Sequence, residues 1–137
     1  MGIDLTKEEK EHICHAIEHH EEYSFGGGTV TVTDIESKIL QDADNLDATG
    51  AIGIARVFAF GAVHSRPFYD DNNPLVAGYY EEGCSDLGKS TIHHCVNKIM
   101  RLDQTMNTKT GKKICKARCK YVHAFVDQFL KEWNGEK

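Results

Sequence analysis

Apolar residues recur at helical spacing over most of this chain. Thr6-Lys7-Glu8-Glu9 is a capping-box pattern that opens a helix running to about Tyr23, with Ile13, Ala16 and Ile17 as its apolar stripe. Gly26, Gly27 and Gly28 end it. Thr29 to Thr33 alternates Val and Thr and reads as an extended connector, because no second strand is evident to pair with it. Thr33-Asp34-Ile35-Glu36 is a second capping box. It starts a helix over about 34–64 in which Ile35, Ile39, Ala43 and Leu46 share a stripe. Beyond Gly50 and Gly53 that segment is apolar nearly all round, which predicts a central, buried helix. A long loop from Ser65 to Gly88 follows; loops of that length are usually functional or mobile. Helices are expected at about 90–106 and 110–134, the last carrying Ile114, Ala117, Tyr121, Phe125, Phe129 and Trp133 at spacings of three and four. The expectation is a single all-α domain over residues 1–137.

Composition narrows the class of protein. With 137 residues the chain can bury a core without disulfide staples. The net charge of −5 argues against a nucleic-acid backbone as partner. No apolar run is long enough to span a membrane, and the first residues lack a signal-peptide core, so a cytoplasmic location is expected. Five irregularly spaced cysteines read as reduced thiols, with Cys115 and Cys119 packed in a helix seam.

The candidate chemistry centres on Asp42, Asp44 and Asp47, which sit on one helix. Helical phasing places Asp42 beside Ile35, Ile39 and Leu46, on the stripe expected to face the core. Asp47 flanks the stripe and Asp44 points away from it. Packing on one side would make Asp42 the buried carboxylate. Packing on both would let Asp44 face a second cavity. There are eight histidines, and His15 and His19 share a helix face as metal-binding pairs do. Arg56, Arg66 and Lys98 stand in apolar or loop contexts, where a cation needs a carboxylate or phosphate partner.

Glu36 to Ala48 followed by Gly50 to Arg56 closely resembles a signature of the HD-domain metal-dependent phosphohydrolases, in particular their YpgQ/YedJ-like branch. Ala16-Ile17 with His20, Arg66 to Asp70, His94 with Lys98 and Leu102, Met106 to Gly111, and Phe129-Leu130 with Trp133 extend the resemblance in order along the chain. It implies an all-α HD-type helical bundle that hydrolyses a nucleotide or other phosphate ester with a divalent metal such as Mn or Mg. It favours Asp44 as metal ligand where phasing favoured Asp42, and both stay open. It implies His20 and Asp47 as catalytic groups, and Arg56, Arg66, Lys98 and His94 as substrate-binding groups. The chain contains no His-Asp dipeptide, which the family uses for its metal. It therefore resembles only the C-terminal portion of an HD hydrolase, without the N-terminal helices. Two alternatives follow. One is a catalytically inactive remnant or regulatory protein of the family. The other is a repurposed metal-binding protein using His15, His19, His20, His93 or His94 with Asp42 or Asp44. Exposed apolar surface on the central helix would favour a homodimer or association with a complementary chain.

Overall fold

A computed structural model describes residues 4–21, 31–75 and 90–136. All regular structure among them is helical: α1 (Lys7–Glu18), α2 (Ile35–Asp47), α3 (Gly50–Val63), α4 (Thr91–Asn97), a 3₁₀ helix (Ile99–Gln104) and α5 (Lys109–Trp133). The resemblance's all-α reading holds.

Local chemistry sets the helix starts. Thr6 and Glu9 close a reciprocal capping box, with Glu9 N–H to Thr6 Oγ1 at 3.2 Å and Thr6 N–H to Glu9 Oε2 at 2.8 Å. At α2 the cap is Asp34 rather than Thr33. Its carboxylate accepts the Ser37 N–H at 2.7 Å, an interaction that holds the Asp34 pKa down to about 2. α1 ends at Glu18, short of the expected Tyr23, with His19 as its C-cap and residues 19–21 in a turn. Residues 31–33 carry no regular secondary structure; the rest of the expected connector lies outside the described residues.

The single helix expected over 34–64 is two helices bent by 70°. Gly50 makes the bend, with φ of 71°, a backbone conformation that side-chain-bearing residues rarely adopt. The Arg118 side chain packs against the Gly50 α-carbon and donates from Nη1 to the Leu46 carbonyl at 2.8 Å, closing the end of α2. Likewise 90–106 divides into α4 and the 3₁₀ helix at Lys98.

The core lies among α3, α4 and α5. Ile54 and Val57 meet Ile92, Cys95, Val96, Ile99 and Met100, closed by Val122 and Val126. A second cluster joins Leu102 and Met106 to Cys115 and Cys119, whose sulfurs are 3.6 Å apart in the helix seam where they were expected. The described part of the long loop is tied down: Pro67 and Phe68 carbonyls accept the Thr91 and Ile92 amides at 2.9 and 3.0 Å, and Asp71 accepts the Trp133 indole N–H at 2.8 Å.

The first three helices correct the expected core faces. Only Ala16 is buried on α1. On α2 the buried residues are Ser37, Gln41, Asp42 and Asn45, whereas Ile35 and Ile39 are 55% and 54% exposed. On α3 Gly53, Ile54, Val57 and Gly61 are buried, but Ile52, Phe60 and Val63 are exposed, so this helix is covered on one side rather than all round. Periodicity identified residues that share a face. It did not identify which face the neighbours would cover.

Candidate functional site

Two arrangements carry the candidate chemistry. The first surrounds Asp42. Its carboxylate is 3% exposed and accepts four hydrogen bonds. Oδ1 takes the Asn107 N–H at 2.7 Å and Asn107 Nδ2 at 3.3 Å; Oδ2 takes the Thr108 N–H at 2.9 Å and Thr108 Oγ1 at 2.6 Å. Thr108 Oγ1 in turn accepts the Gly111 N–H at 3.0 Å and caps α5. A side chain at position 111 would run into the Asp42 carboxylate, so the glycine is what admits it. Gln41 completes the network, accepting from Asn107 Nδ2 at 3.0 Å and donating to the His19 carbonyl at 2.8 Å.

Asp42 is therefore a buried structural acceptor joining α2 to the start of α5, with donors on both oxygens. Asn107 and Thr108, which build this junction, were missed as partners. The one available signal was the Thr108–Gly111 cap pattern, and their acceptor lies about 65 residues earlier. Asp44, two residues on, is exposed.

The second arrangement is a cleft of about 560 Å³ between α3 and α4, lined by Glu21, Arg56, Val57, Phe60, His94 and Lys98 among others. Arg56 comes from the middle of α3, and His94 and Lys98 from one face of α4 and its end. Arg66 joins them from the loop after α3, with its guanidinium 5.8 Å from the Phe60 ring centre. Burial, together with the positive charges of Lys98 and Arg66, lowers the His94 pKa to about 4. At neutral pH this is a neutral imidazole set among cations. The four residues expected from the resemblance to bind substrate thus come together from three elements.

The expected catalytic pair is not brought together by any bond among the described residues. Asp47 forms an ion pair with Arg56. His20 Nδ1 bonds to the Ile17 carbonyl at 2.6 Å, and Nε2 lies 3.8 Å from Glu21, which puts His20 beside the cleft. His93 is not positioned as a metal ligand either. It is 1% exposed, with Nδ1 2.6 Å from Ser90 Oγ and Nε2 3.3 Å from Asn73 Nδ2.

The comparisons with known proteins bear on this geometry. No family model matches the chain. It is 31% identical over 131 residues to the uncharacterised protein YpgQ of Bacillus subtilis, covering 96% of this chain and 56% of YpgQ. Among solved structures, an HD-superfamily hydrolase from Bacillus thuringiensis is 34% identical, with a TM-score of 0.69 over 96% of this chain and 57% of that one. YpgQ in complex with ADP is 28% identical, with a TM-score of 0.68 over 94% and 57%. In sequence and in fold the chain resembles HD-superfamily hydrolases, matching a part of their length. Sequence and structure both show its similarity to YpgQ. It spans a little over half the length of these relatives.

HD-superfamily proteins generally bind a divalent metal. The residues described do not fit one at the aspartate helix. Asp42 is saturated, and no grouping of three metal-binding side chains among the described residues includes Asp42, Asp44 or any cleft histidine. No single helix among them is long and apolar enough to cross a membrane.

Proposed function

We propose that this chain furnishes the phosphate-holding part of an HD-type phosphohydrolase acting on a nucleotide or another phosphate ester. The observation that supports this reading is the convergence of Arg56, His94 and Lys98 on one cleft, with Arg66 at its edge. Guanidinium and ammonium groups hold phosphate oxygens by charge-assisted hydrogen bonds. Val57 and Phe60 offer apolar surface to the organic part of such a substrate. His94 enters as a neutral donor or acceptor. An arriving phosphate would offset the Lys98 and Arg66 charges and raise its proton affinity, so binding should take up protons near pH 5. That YpgQ has been solved with ADP is consistent with a nucleotide ligand.

In this reading Asp44, rather than Asp42, is the carboxylate available to a metal, with its other ligands supplied by further polypeptide. The exposed apolar residues of α1–α3 favour such an association, with a second copy or with a complementary chain. Light scattering showing a stable monomer under all conditions would oppose that part.

The decisive test is ADP binding by calorimetry to the wild-type chain and to Arg56→Ala, Lys98→Ala and the double variant. Each single variant should weaken binding about tenfold or more, as loss of a charge-assisted contact predicts. Unchanged affinity in the double variant would refute the cleft assignment. Phosphate release with Mn²⁺ and a nucleotide panel tests whether the chain, alone or associated, also hydrolyses such a compound. The exposed, isolated position of Asp44 favours one second reading, a catalytically inactive or regulatory member that binds phosphate compounds without turning them over. Tight ADP binding with no release in any state of association would select it.

A further inference from the structure

Away from the cleft, the start of α2 meets the middle of α1. There three side chains bring one nitrogen and two oxygen donors together: His12, Asp34 and Glu36, with their donor atoms all within 4.8 Å of one another. His12 Nε2 lies 3.3 Å from Asp34 Oδ1 and 3.9 Å from Glu36 Oε2. A tetrahedral zinc with bonds of about 2.0–2.2 Å spaces neighbouring donors by about 3.3–3.6 Å. The side chains thus stand near ligand spacing before any ion arrives.

Several features favour an ion over a simple ion pair. The Ser37 amide holds the Asp34 carboxylate in place at 2.7 Å, the kind of orienting bond that metal-bound carboxylates carry. Two carboxylates face one imidazole, so a single protonated histidine leaves the group net negative. Lys7 and Lys38, on the same two helices, are engaged in other contacts: Lys7 pairs with Glu11 at 3.6 Å and Lys38 donates to the Thr33 carbonyl at 2.9 Å. An open groove of about 430 Å³ adjoins the group, lined by Leu5, Glu8, Glu9, His12, Ile13 and Glu36. It leaves room for water or a further carboxylate to complete a coordination shell. Imidazole with carboxylates is a donor set that suits zinc and its neighbours rather than magnesium.

We propose that His12, Asp34 and Glu36 form a zinc-binding site that fastens α1 to the start of α2. Asp34 precedes Asp44 by ten residues, about 15 Å along a helix, so this site is separate from any metal held at the aspartate helix. Its role is to hold α1, a helix with only Ala16 buried, against its neighbour.

The test is calorimetric titration of the chelator-treated full chain with Zn²⁺ alone, paired with thermal unfolding. We expect one zinc per chain and a rise in the unfolding temperature. His12→Gln and Glu36→Gln should each weaken binding by more than about tenfold, since losing even an outer-shell partner does that much. Asp34→Asn keeps the helix cap and should weaken binding too. His12 and Glu36 are exposed, so these variants should fold as wild type does, and circular dichroism checks that. Asp44→Asn and the Arg56, Lys98 variants should bind zinc unchanged, which separates this site from the cleft. Absence of saturable zinc binding would overturn the proposal. So would binding that survives His12→Gln and is lost in His15→Gln or His19→Gln, which would move the ion to the other histidine pair.

Discussion

Helices α2 and α5 are both amphipathic, and they settle in opposite ways. α5 buries its apolar side: Cys115, Cys119, Val122 and Val126 enter the core, and its lysines stay outside. α2 buries its polar side, with Ser37, Gln41, Asp42 and Asn45 inside and Ile35 and Ile39 outside. Burial of polar groups is tolerable only where hydrogen bonds replace water. The four donors on Asp42 provide that replacement, so the two helices are held by different forces. α5 is held by apolar area. α2 is held by a carboxylate that the turn at 107–108 satisfies. An apolar stripe left outside is then available for a partner.

The sharpest way to break this comparison is Asp42→Ala. It would strand the Asn107 and Thr108 donors in a buried site and should lower stability by about 3 kcal/mol or more. Asp44→Ala, at an exposed position, should stay within about 0.5 kcal/mol. Urea unfolding of both variants measures the contrast. Equal effects would mean that Asp42 is not the anchor.

On the α5 side, Val122→Ala removes buried methyl groups and should destabilise by about 1–2 kcal/mol. The matching change on α2, Ile39→Ala, should alter the stability of the monomer by less than about 0.5 kcal/mol. Sedimentation or light scattering would then show whether Ile39 acts instead in association. A large loss of monomer stability from Ile39→Ala would mean that the apolar stripe is covered within the chain.

What could be seen in the sequence follows the same division. On α5 the expected stripe reaches the core only at Phe125 and Phe129, while Ile114, Tyr121 and Trp133 are exposed and Cys115, Cys119, Val122 and Val126 form the buried side. The cap at Thr6 was legible, because local hydrogen bonds determine it. The reversed face of α2 was not. Its buried side is decided by Asn107 and Thr108, far along the chain, and by nothing in the local period. The bend at Gly50 was legible only as an interruption, because a positive φ cannot be read from a glycine alone. The cleft residues were individually recognisable by resemblance, while their convergence depended on how α3, α4 and the loop at Arg66 pack. Asp42 looked like a ligand because a buried aspartate and a metal-binding aspartate leave the same trace in a sequence.

The His94 environment gives a comparison by pH. Its folded pKa of about 4 lies below the ordinary 6.5, so the unfolded chain binds the proton more readily. Stability from this group is therefore complete above about pH 6.5 and is lost as pH falls towards 4. Between pH 7 and pH 5 the loss should be about 2 kcal/mol. His123, also lowered by burial, adds in the same direction, whereas Asp34 loses its advantage only well below pH 4. His94→Asn should therefore flatten the slope of unfolding free energy against pH in this window without removing it. A slope unchanged by the substitution would show that His94 is solvated and that the cleft is more open than described. Bound ADP should also reduce the slope, since a phosphate beside His94 favours its protonated form.

The smallest effect is expected at the Arg56–Asp47 pair. Both side chains are 60% exposed, and an ion pair in that setting contributes well under about 1 kcal/mol, with salt screening it further. A double-mutant cycle of Arg56→Ala and Asp47→Ala should give a coupling of about 0.5 kcal/mol or less. Weak coupling matters for the cleft, because a guanidinium that leaves its carboxylate at little penalty can turn to a phosphate. Asp47→Asn should accordingly leave stability nearly unchanged and strengthen ADP binding slightly by releasing Arg56. Weaker ADP binding in Asp47→Asn would show instead that the aspartate orients Arg56 towards the ligand, and the pair would then belong to the site as a unit.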